Sequence, residues 1–588
     1  MKLDIGSIRQ FYLSGGTPQE VVTKIKERIT EHADNPVWIY CLQDAEIASY
    51  LERLNGLDQQ QYPLWGVPFA IKDNIDLAGV PTTAACPAFA YVPEQSAFVV
   101  QALINAGAIP IGKTNLDQFA TGLNGTRSPY GAVQNSVNKD YISGGSSSGS
   151  AVAVALDMVS FALGTDTAGS GRVPAAFNNL VGLKPSLGLV STSGVVPACR
   201  SLDCVTIFAK DLDTASTAFN VMDSFDAQDP FAHANVDANS ARTEGVRQGL
   251  LKLGVIRPDQ LKFFGDAGYQ AAYEAALEEI QLDAGVELVE IDFEPFSQAA
   301  SLLYSGPWVA ERTLACRDPL SSYPDEINSV VRGIIKGGSD LTAIQCFEAQ
   351  YQLKALKRVC DAGLADVDAM LTPTAGRLYT LAELEAEPIQ YNTNLGYYTN
   401  YMNLLDYAGL AIPAGFTSQA LPFGLTLVGP RCSDRALLSI ARRLSHDTSP
   451  GSQRAVADSR YLDILVCGAH MDGLPLNHQL LDRGGALLEA ARTAPAYRLL
   501  ALPGEGVKRP ALVGDSESGI SIGAEVWRLP IETVGSFLEG IPAPLGLGAV
   551  TLADGREVKG FIAAAGRVDS AARDVSDFGD WRAYLASL

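Results

Sequence analysis

The sequence predicts an α/β protein in which a large domain is followed by a smaller α+β domain. Apolar runs typical of strands alternate with helical patterns along most of the chain, which is the order expected of an α/β sheet. A polar segment with a Ser-Pro-Gly turn, residues 447–459, then interrupts this pattern. The composition, 47% hydrophobic and 19% charged, supplies enough apolar material for buried cores. We therefore expect domains at 1–447 and 460–588.

The first long helix has the clearest boundary. Thr17-Pro18-Gln19-Glu20 combines a hydroxyl cap, a proline in the first turn and a glutamate three residues after the cap, and apolar residues then recur at helical spacing to about His32. The other predicted elements are strands at 64–72, 108–113, 159–163, 461–468 and 521–529, and helices at 97–106, 151–156, 265–290 and 341–362.

Charge and cysteine usage limit the classes of partner. The chain has 44 Lys and Arg against 66 Asp and Glu, a net charge of −22, so we expect no nucleic-acid partner. Nine scattered cysteines without a C-x-x-C pair favour reduced thiols and a cytoplasmic protein. No apolar leader follows Met1, and the uncharged stretch 407–430 contains three prolines, which indicates buried strands rather than a membrane helix.

Histidine usage argues against metal chemistry. The chain has only five histidines, and none lies near the Gly/Ser-rich segments described next or at a metal-ligand spacing. We therefore expect neither a metal nor a cofactor. A Ser-His-Asp enzyme stays open, because such triads assemble from distant segments.

Three segments carry candidate chemistry: Ala70-Ile71-Lys72 at the end of an apolar run, GGSSSGS at 144–150 and GTDTAGSGRVP at 164–174. An apolar setting lowers the pKa of a lysine, and a neutral lysine can activate a serine without a histidine. A glycine-rich turn can present successive N–H groups to an oxyanion. The alternatives are a solvated strand end and flexible linkers, but the alanine-rich run after residue 150 favours a packed helix.

These segments resemble the signature of the amidase signature hydrolases, over about residues 20 to 450. The resemblance implies a central mixed β-sheet surrounded by helices and a Ser-cisSer-Lys triad. In it, Ser170 is the nucleophile, Ser146 the bridging serine in a cis peptide, and Lys72 the base. The implied oxyanion hole consists of the backbone N–H groups of Thr167, Ala168 and Gly169, together with Ser170. One departure is Ser148, where many members have glycine.

Segments 117–129, 302–312 and 398–406 are similar to the allophanate hydrolases of that family. This resemblance implies that Tyr304 and Arg312 contact the carboxylate of the substrate and that Asn124 and Gly125 belong to the binding site. A guanidinium fork suits a carboxylate, because it can donate two parallel hydrogen bonds. The alternative for Arg312 is a structural ion pair with a carboxylate on the same helix face.

Residues 468–480, GAHMDGLPLNHQL, are similar to the C-terminal domain of full-length allophanate hydrolases. The resemblance implies an α+β fold like that of γ-glutamyl cyclotransferases and a role in decarboxylation, with His470 as acid or base. A hydrogen-bonded structural histidine is the alternative.

Together the resemblances imply hydrolysis of allophanate to ammonia and N-carboxycarbamate, followed by decarboxylation, in urea or s-triazine nitrogen catabolism. They imply a urea carboxylase as functional partner, a homodimer, and no membrane. Two alternatives stay open. In the first, the chain is another small-amide amidase whose C-terminal domain serves dimerisation. In the second, it is the catalytic component of a tRNA-dependent amidotransferase, which the acidity of the chain disfavours.

Overall fold

The computed structural model describes residues 2–59, 61–241, 244, 249–283, 285–445, 461–504, 506–516, 518–553, 556–563, 568–569 and 571–588. The predicted linker, 447–459, lies outside the described residues, so the two domain boundaries stay predictions. The described elements group into two compact units, one ending with the helix before residue 445 and one starting at Tyr461. No helix in these ranges combines the length and apolar character needed to cross a membrane.

Within the described residues of the first unit, eleven strands form one mixed sheet with the order β1-β3-β2-β4-β6-β5-β10-β11-β9-β7-β8. The strands are β1 (Trp38–Cys41), β2 (Pro68–Lys72), β3 (Ile109–Thr114), β4 (Phe161–Asp166), β5 (Val181–Lys184), β6 (Cys204–Ala209), β7 (Leu251–Ile256), β8 (Val286–Ile291), β9 (Ala369–Pro373), β10 (Ala408–Phe416) and β11 (Pro422–Gly429). The central mixed sheet of the amidase signature fold is thereby confirmed.

The first unit also contains helices, several of which pack on this sheet. They are α1 (Ile5–Leu13), α2 (Pro18–Glu31), α3 (Asp44–Leu54), α4 (Phe98–Asn105), α5 (Ser148–Ala155), α6 (Val173–Phe177), α7 (Leu212–Met222), α8 (Ala267–Ile280), α9 (Glu294–Ser305), α10 (Trp308–Ala315), α11 (Arg317–Ser322), α12 (Ser329–Lys336), α13 (Ala343–Gly363), α14 (Leu381–Ala386), α15 (Gln390–Leu395), α16 (Tyr401–Leu404) and α17 (Asp434–Leu444). The predicted capping box of α2, Thr17 with Glu20, is confirmed.

Two predicted elements differ from the structure. The predicted helix 265–290 is wrong in its second half, because α8 ends at Ile280 and the chain then forms the edge strand β8, parallel to β7. Pairing with β7 outweighs the helical pattern there, since strand formation depends on neighbours more than on local preference. The predicted strand 64–72 starts only at Pro68, because Val67 closes a turn onto the carbonyl of Leu64.

The sheet places the chemistry-bearing segments at one edge. Strands β2 and β4 are parallel neighbours, and β2 ends at Lys72 while β4 ends at Asp166. Helix α5, which follows the 144–147 segment, packs on both strands. Since parallel strands end at the same edge of a sheet, the lysine, the Gly/Ser segment and the turn after β4 converge there.

The second unit is an α+β domain, as predicted. Its described strands form a sheet ordered β13-β16-β12-β18-β15-β14-β19, with β17 paired to β18. The elements are β12 (Tyr461–Val466), α18 (His478–Leu481), β13 (Ala486–Arg492), β14 (Tyr497–Ala501), β15 (Pro510–Gly514), β16 (Gly523–Pro530), α19 (Ile531–Glu539), β17 (Leu545–Thr551), β18 (Glu557–Ala563), β19 (Arg573–Asp574) and α20 (Trp581–Ala586). The core includes the buried indoles Trp527 and Trp581. The likeness to γ-glutamyl cyclotransferases stays a prediction.

Candidate active site

Lys72 lies fully buried at the end of β2 and contacts two hydroxyl groups. Its Nζ donates to Ser146 Oγ at 2.8 Å and to Thr165 Oγ1 at 2.7 Å. Burial lowers the pKa of Lys72 to about 7, and the more distant carboxylates of Asp117 and Asp203 only partly oppose this. Near neutral pH a large fraction of this amine is therefore unprotonated and able to accept a proton from Ser146.

The Ser146 segment has the backbone geometry that the family resemblance implies. The peptide bond between Gly145 and Ser146 is cis. The carbonyl of Ser146 accepts the N–H of Asp117 at 3.1 Å, which ties this segment to the loop after β3. A Cβ atom at Gly145 would lie 2.3 Å from the Asp117 carboxylate, so no larger residue fits there.

A buried ion pair shapes the turn after β4. The Asp166 carboxylate accepts two hydrogen bonds from the Arg172 guanidinium, both at 2.9 Å, and it also accepts the N–H groups of Gly169 and Gly171 at 2.8 and 3.0 Å. Burial alone would raise the pKa of Asp166, but Arg172 holds it below its usual range. The turn that carries Ser170 is thus fixed from inside by one carboxylate.

The oxyanion-hole prediction needs one correction. The N–H of Gly169 donates to Asp166 and is not free to bind an oxyanion. By contrast, the N–H groups of Thr167, Ala168 and Ser170 donate to no acceptor in the described part of the chain. All three residues are buried, and buried N–H groups without a protein acceptor normally find a ligand or water. These three N–H groups are therefore available to bind an oxyanion, and the oxyanion role itself stays a prediction.

Ser170 lies on this turn, 3% exposed. Its Oγ donates to the carbonyl of Gly122 at 3.4 Å, a long contact, and it forms no hydrogen bond with Ser146 within the described residues. The structure therefore joins Lys72 to Ser146 directly and leaves the Ser170 hydroxyl weakly held. Catalytic hydrogen bonds are often loose without substrate. The role of Ser170 as nucleophile stays a prediction.

Thr165 is a site residue that the sequence analysis missed. It lies on β4 next to Lys72 on β2 and supplies the second hydroxyl partner of the amine. The position of Thr165 inside the GTDTAGS motif predicts this contact, because a residue one position before the end of β4 faces the lysine of the neighbouring strand.

Two buried arginines surround Thr121. Arg312, on α10, donates to Thr121 Oγ1 at 3.2 Å, and its guanidinium carbon lies 5.8 Å from the centre of the Tyr304 ring. Arg127 donates to the carbonyls of Thr121 and Pro388 at 3.1 and 2.9 Å. Among the residues described, neither arginine forms an ion pair, and the Nε of each has no hydrogen-bond partner. Two guanidinium charges are therefore buried here without an ion-pair partner among the described residues, although the carboxylate of Asp117 lies near enough to stabilise Arg127 and that of Asp203 near enough to stabilise Arg312.

Among the described residues, Arg312 forms no ion pair with a carboxylate on its own helix face. The neighbouring carboxylate of Glu311 instead accepts hydrogen bonds from Ser201 and the Cys199 thiol. A buried unpaired guanidinium is costly, so an anionic ligand between Arg127 and Arg312 would be stabilised. Arg127 was not predicted as a site residue, although it falls within the resembling segment 117–129.

Asn124 and Gly125 brace the loop rather than offer groups to a ligand. The Asn124 side chain donates to Asn392 at 2.8 Å and accepts the N–H of Thr126 at 2.9 Å. Gly125 donates its N–H to Asp117 at 3.1 Å. With φ of +79° and a Cβ position 2.7 Å from the carbonyl of Gly144, it admits no side chain. Substrate contact by these two residues is a prediction that the geometry does not favour.

His470 belongs to the second unit, where it follows β12. Its Nε2 lies 3.0 Å from the amide oxygen of Gln479, and its ring lies against Phe537 and Phe561 at centroid distances of 5.2 and 6.2 Å. Burial lowers the pKa of His470, which favours the neutral imidazole. No group of three or more potential metal ligands occurs among the described residues.

Comparison with known proteins places both units. The family model described as Amidase matches residues 20–438, and the model described as Allophanate hydrolase C-terminal domain matches residues 462–586. A urea amidolyase of Lachancea kluyveri is 41% identical over 582 residues, which cover 94% of this chain and 31% of the relative. The chain therefore spans about a third of the length of the curated urea amidolyases it matches.

Two further proteins are similar to this chain. A solved structure of Kluyveromyces lactis allophanate hydrolase aligns with a TM-score of 0.77 and 37% identity, over 99% of both chains. A glutamyl-tRNA(Gln) amidotransferase polypeptide of Trichormus variabilis is 32% identical, over 66% of this chain and 85% of the relative.

Proposed function

The chain belongs to the amidase family, and from that premise we propose that it is an amidohydrolase whose substrate is allophanate. The substrate assignment depends on one observation, the pair of buried, unpaired guanidinium groups of Arg127 and Arg312 beside Thr121. Allophanate carries a carboxylate two bonds from its terminal amide, and a carboxylate between two guanidinium groups would accept charge-assisted hydrogen bonds and offset part of their positive charge.

The proposed reaction starts at Ser170. As its Oγ forms a bond to the amide carbon, its proton passes to Ser146, whose own proton passes to the neutral amine of Lys72. The negative charge that develops on the carbonyl oxygen is stabilised by the N–H groups of Thr167, Ala168 and Ser170. Loss of one such donor typically costs about 3 kcal/mol of transition-state stabilisation.

The same relay then runs backwards. Lys72 returns its proton through Ser146 to the leaving nitrogen, the carbon–nitrogen bond breaks, and ammonia departs. Water, deprotonated by the same lysine, attacks the acyl group on Ser170 and releases N-carboxycarbamate. We propose that the second domain accelerates loss of carbon dioxide from this product, with His470 as the proton donor.

The wider setting is part of the proposal. We place the amidase domain at residues 1–447 and the decarboxylation domain at 460–588, in a cytoplasmic homodimer, and the nine free cysteines suit a reducing compartment. Two of the curated relatives are urea amidolyases that match 94% of this chain, which supports a biotin-dependent urea carboxylase as the source of allophanate.

Arg312→Lys tests the substrate assignment. Lysine keeps the charge but loses the planar fork, so kcat/KM for allophanate should fall about 10- to 100-fold, while kcat/KM for a neutral amide such as propionamide should hardly change. Ammonia release measures both. Arg332→Lys on α12, a partly exposed arginine paired with Asp325, is the matched control and should leave both values unchanged. Equal losses on the two substrates would mean that Arg312 is structural and would favour a general small-amide amidase.

A further inference from the structure

The second unit contains a cleft beside His470 that holds an unpaired positive charge. The cleft lies at the end of β12 and is lined by residues 466–470, 509–510 and 540–542, together with Leu545 and Phe561. The Arg509 Nε is buried and has no hydrogen-bond partner, and the guanidinium forms no ion pair in the ranges that the structure describes. Arg509 as a whole is half-buried, and its guanidinium would stabilise an anion bound in the cleft.

Backbone donors accompany this arginine. The N–H groups of Gly468, Ala469 and His470 donate to no acceptor within the described residues, although Gly468 and Ala469 are buried. The turn and the arginine are neighbours, because a Cβ atom at Gly468 would lie 2.5 Å from the ring of Pro510, the residue after Arg509. Buried donors of this kind normally bind a ligand or water. The three N–H groups and the Arg509 guanidinium thus belong to residues that line the same cleft and are available to one anionic ligand.

The rest of the cleft is apolar. Phe561 and Phe537 lie against the His470 ring, and Ile541 and Pro542 line the wall. A carboxylate loses favourable hydration next to an apolar surface, whereas carbon dioxide has little hydration to lose. An apolar wall therefore favours conversion of the carboxylate into carbon dioxide. The cleft thus offers one polar end and one apolar side to a small dianion.

We propose that Arg509 and the N–H groups of Gly468, Ala469 and His470 bind one carboxylate of N-carboxycarbamate and direct the other toward the apolar wall. This inference rests on the proposed function of the second domain. The bond between the nitrogen and the second carboxyl carbon breaks, its electron pair stays on the nitrogen, and a proton from the His470 imidazolium adds there. The products are carbon dioxide and carbamate, and the imidazole regains its proton from solvent.

The surroundings of His470 suit this role. With the Gln479 amide oxygen as acceptor, Nε2 carries the hydrogen of the neutral ring and Nδ1 keeps its lone pair. Arg509 and His478 are the charged or titratable neighbours that disfavour the protonated ring, besides burial. A bound dianion would offset these positive charges and favour protonation of the imidazole, which couples the proton donor to the presence of substrate.

The test follows carbon-13-labelled allophanate by NMR in the full chain, under mildly alkaline conditions in which carbamates persist longer. Arg509→Gln should prolong the lifetime of N-carboxycarbamate about 10- to 100-fold, or to its spontaneous limit if that is shorter, with the first ammonia released at the normal rate. Lys508→Gln, which removes an exposed positive charge one residue away, is the matched control and should change neither. Arg509→Lys, which keeps the charge, should give an intermediate lifetime.

A second measurement separates binding from folding. Malonate is a stable dianion of the same shape, so in the wild-type chain it should slow the decay of the intermediate once allophanate is consumed and shift the His470 ring signals. Both effects should need about tenfold more malonate in Arg509→Lys. If the same malonate concentration shifted the His470 ring signals equally in the wild type and in Arg509→Lys, the proposed role of Arg509 in carboxylate binding would be wrong.

His470→Ala distinguishes the two levels of the proposal. If His470→Ala prolongs the intermediate but both Arg509 variants behave as wild type, the proposed carboxylate binding by Arg509 is wrong and the proposed function stands. If none of the variants prolongs it, decarboxylation does not depend on the second domain, and both are wrong.

Discussion

Ser170→Ala should reduce ammonia release from allophanate by about 10⁴-fold or more, the loss typical of removing a serine nucleophile. The proposed acyl-enzyme bond cannot form without the Ser170 hydroxyl. The hydroxyl of Thr167, on the same turn, donates to the Asp203 carboxylate and cannot replace it. The fold should survive, because the long contact to Gly122 is the only hydrogen bond of the Ser170 hydroxyl in the part of the chain that the structure describes. Steady-state ammonia release and thermal unfolding of the same preparation measure the two effects.

Ser321→Ala, an exposed serine on α11, is the matched control for this variant and should keep full activity. When the reaction of the wild-type chain is quenched early, mass spectrometry should detect the acyl group of the substrate on Ser170. Activity of Ser170→Ala within tenfold of the wild type would contradict its role as nucleophile.

Lys72→Met should cost nearly as much as Ser170→Ala, because the two residues act in one relay and their effects are not additive. Methionine fills the buried volume without a base. Thr165→Val is the matched comparison, since it removes the second hydroxyl partner of the Lys72 amine and keeps its shape. We expect Thr165→Val to reduce the rate of ammonia release about tenfold. If Lys72→Met and Thr165→Val reduced this rate by similar factors, the result would argue against Lys72 as the base.

The pH profile reports on the same group. Because the active form of Lys72 is the neutral amine and its pKa is about 7, kcat/KM should rise with pH, level off above about 7.5, and fall about tenfold for each unit below 7. His470→Ala should leave this rise of kcat/KM with pH unchanged, which would show that the rise reports on Lys72 and not on His470. A flat profile between pH 5 and 8 would contradict a neutral lysine base.

Sequence patterns predict those features of this protein that depend on short, contiguous stretches of residues. The cap at Thr17 and Glu20 fixes the start of α2, and the apolar run ending in Lys72 places the lysine at a strand end. The Gly/Ser segment before α5 was recognisable because its residue types and spacing match the family signature. These features follow from short stretches of chain, so the sequence alone suffices.

Long-range contacts account for what the sequence did not predict. The N–H of Gly169 is unavailable because Asp166 accepts it while also pairing with Arg172. Arg127 joins Arg312 through Thr121, and these two arginines are far apart in the chain. In the second unit, the turn after β12 lies near Pro510, the residue after Arg509, only once the sheet has formed. Such groupings have no local periodicity that a pattern could detect.

Substrate preference among small amides distinguishes a carboxylate-binding site from that of a general amidase. Allophanate and biuret differ only in that a carboxylate of the first is replaced by an amide in the second, and malonamate keeps the carboxylate while replacing the bridging NH by CH₂. If Arg127 and Arg312 bind the carboxylate as proposed, ammonia release by the full chain should give kcat/KM values for allophanate at least about 100-fold above those for biuret and propionamide, with malonamate between them. Biuret or propionamide turned over as well as allophanate would contradict this assignment.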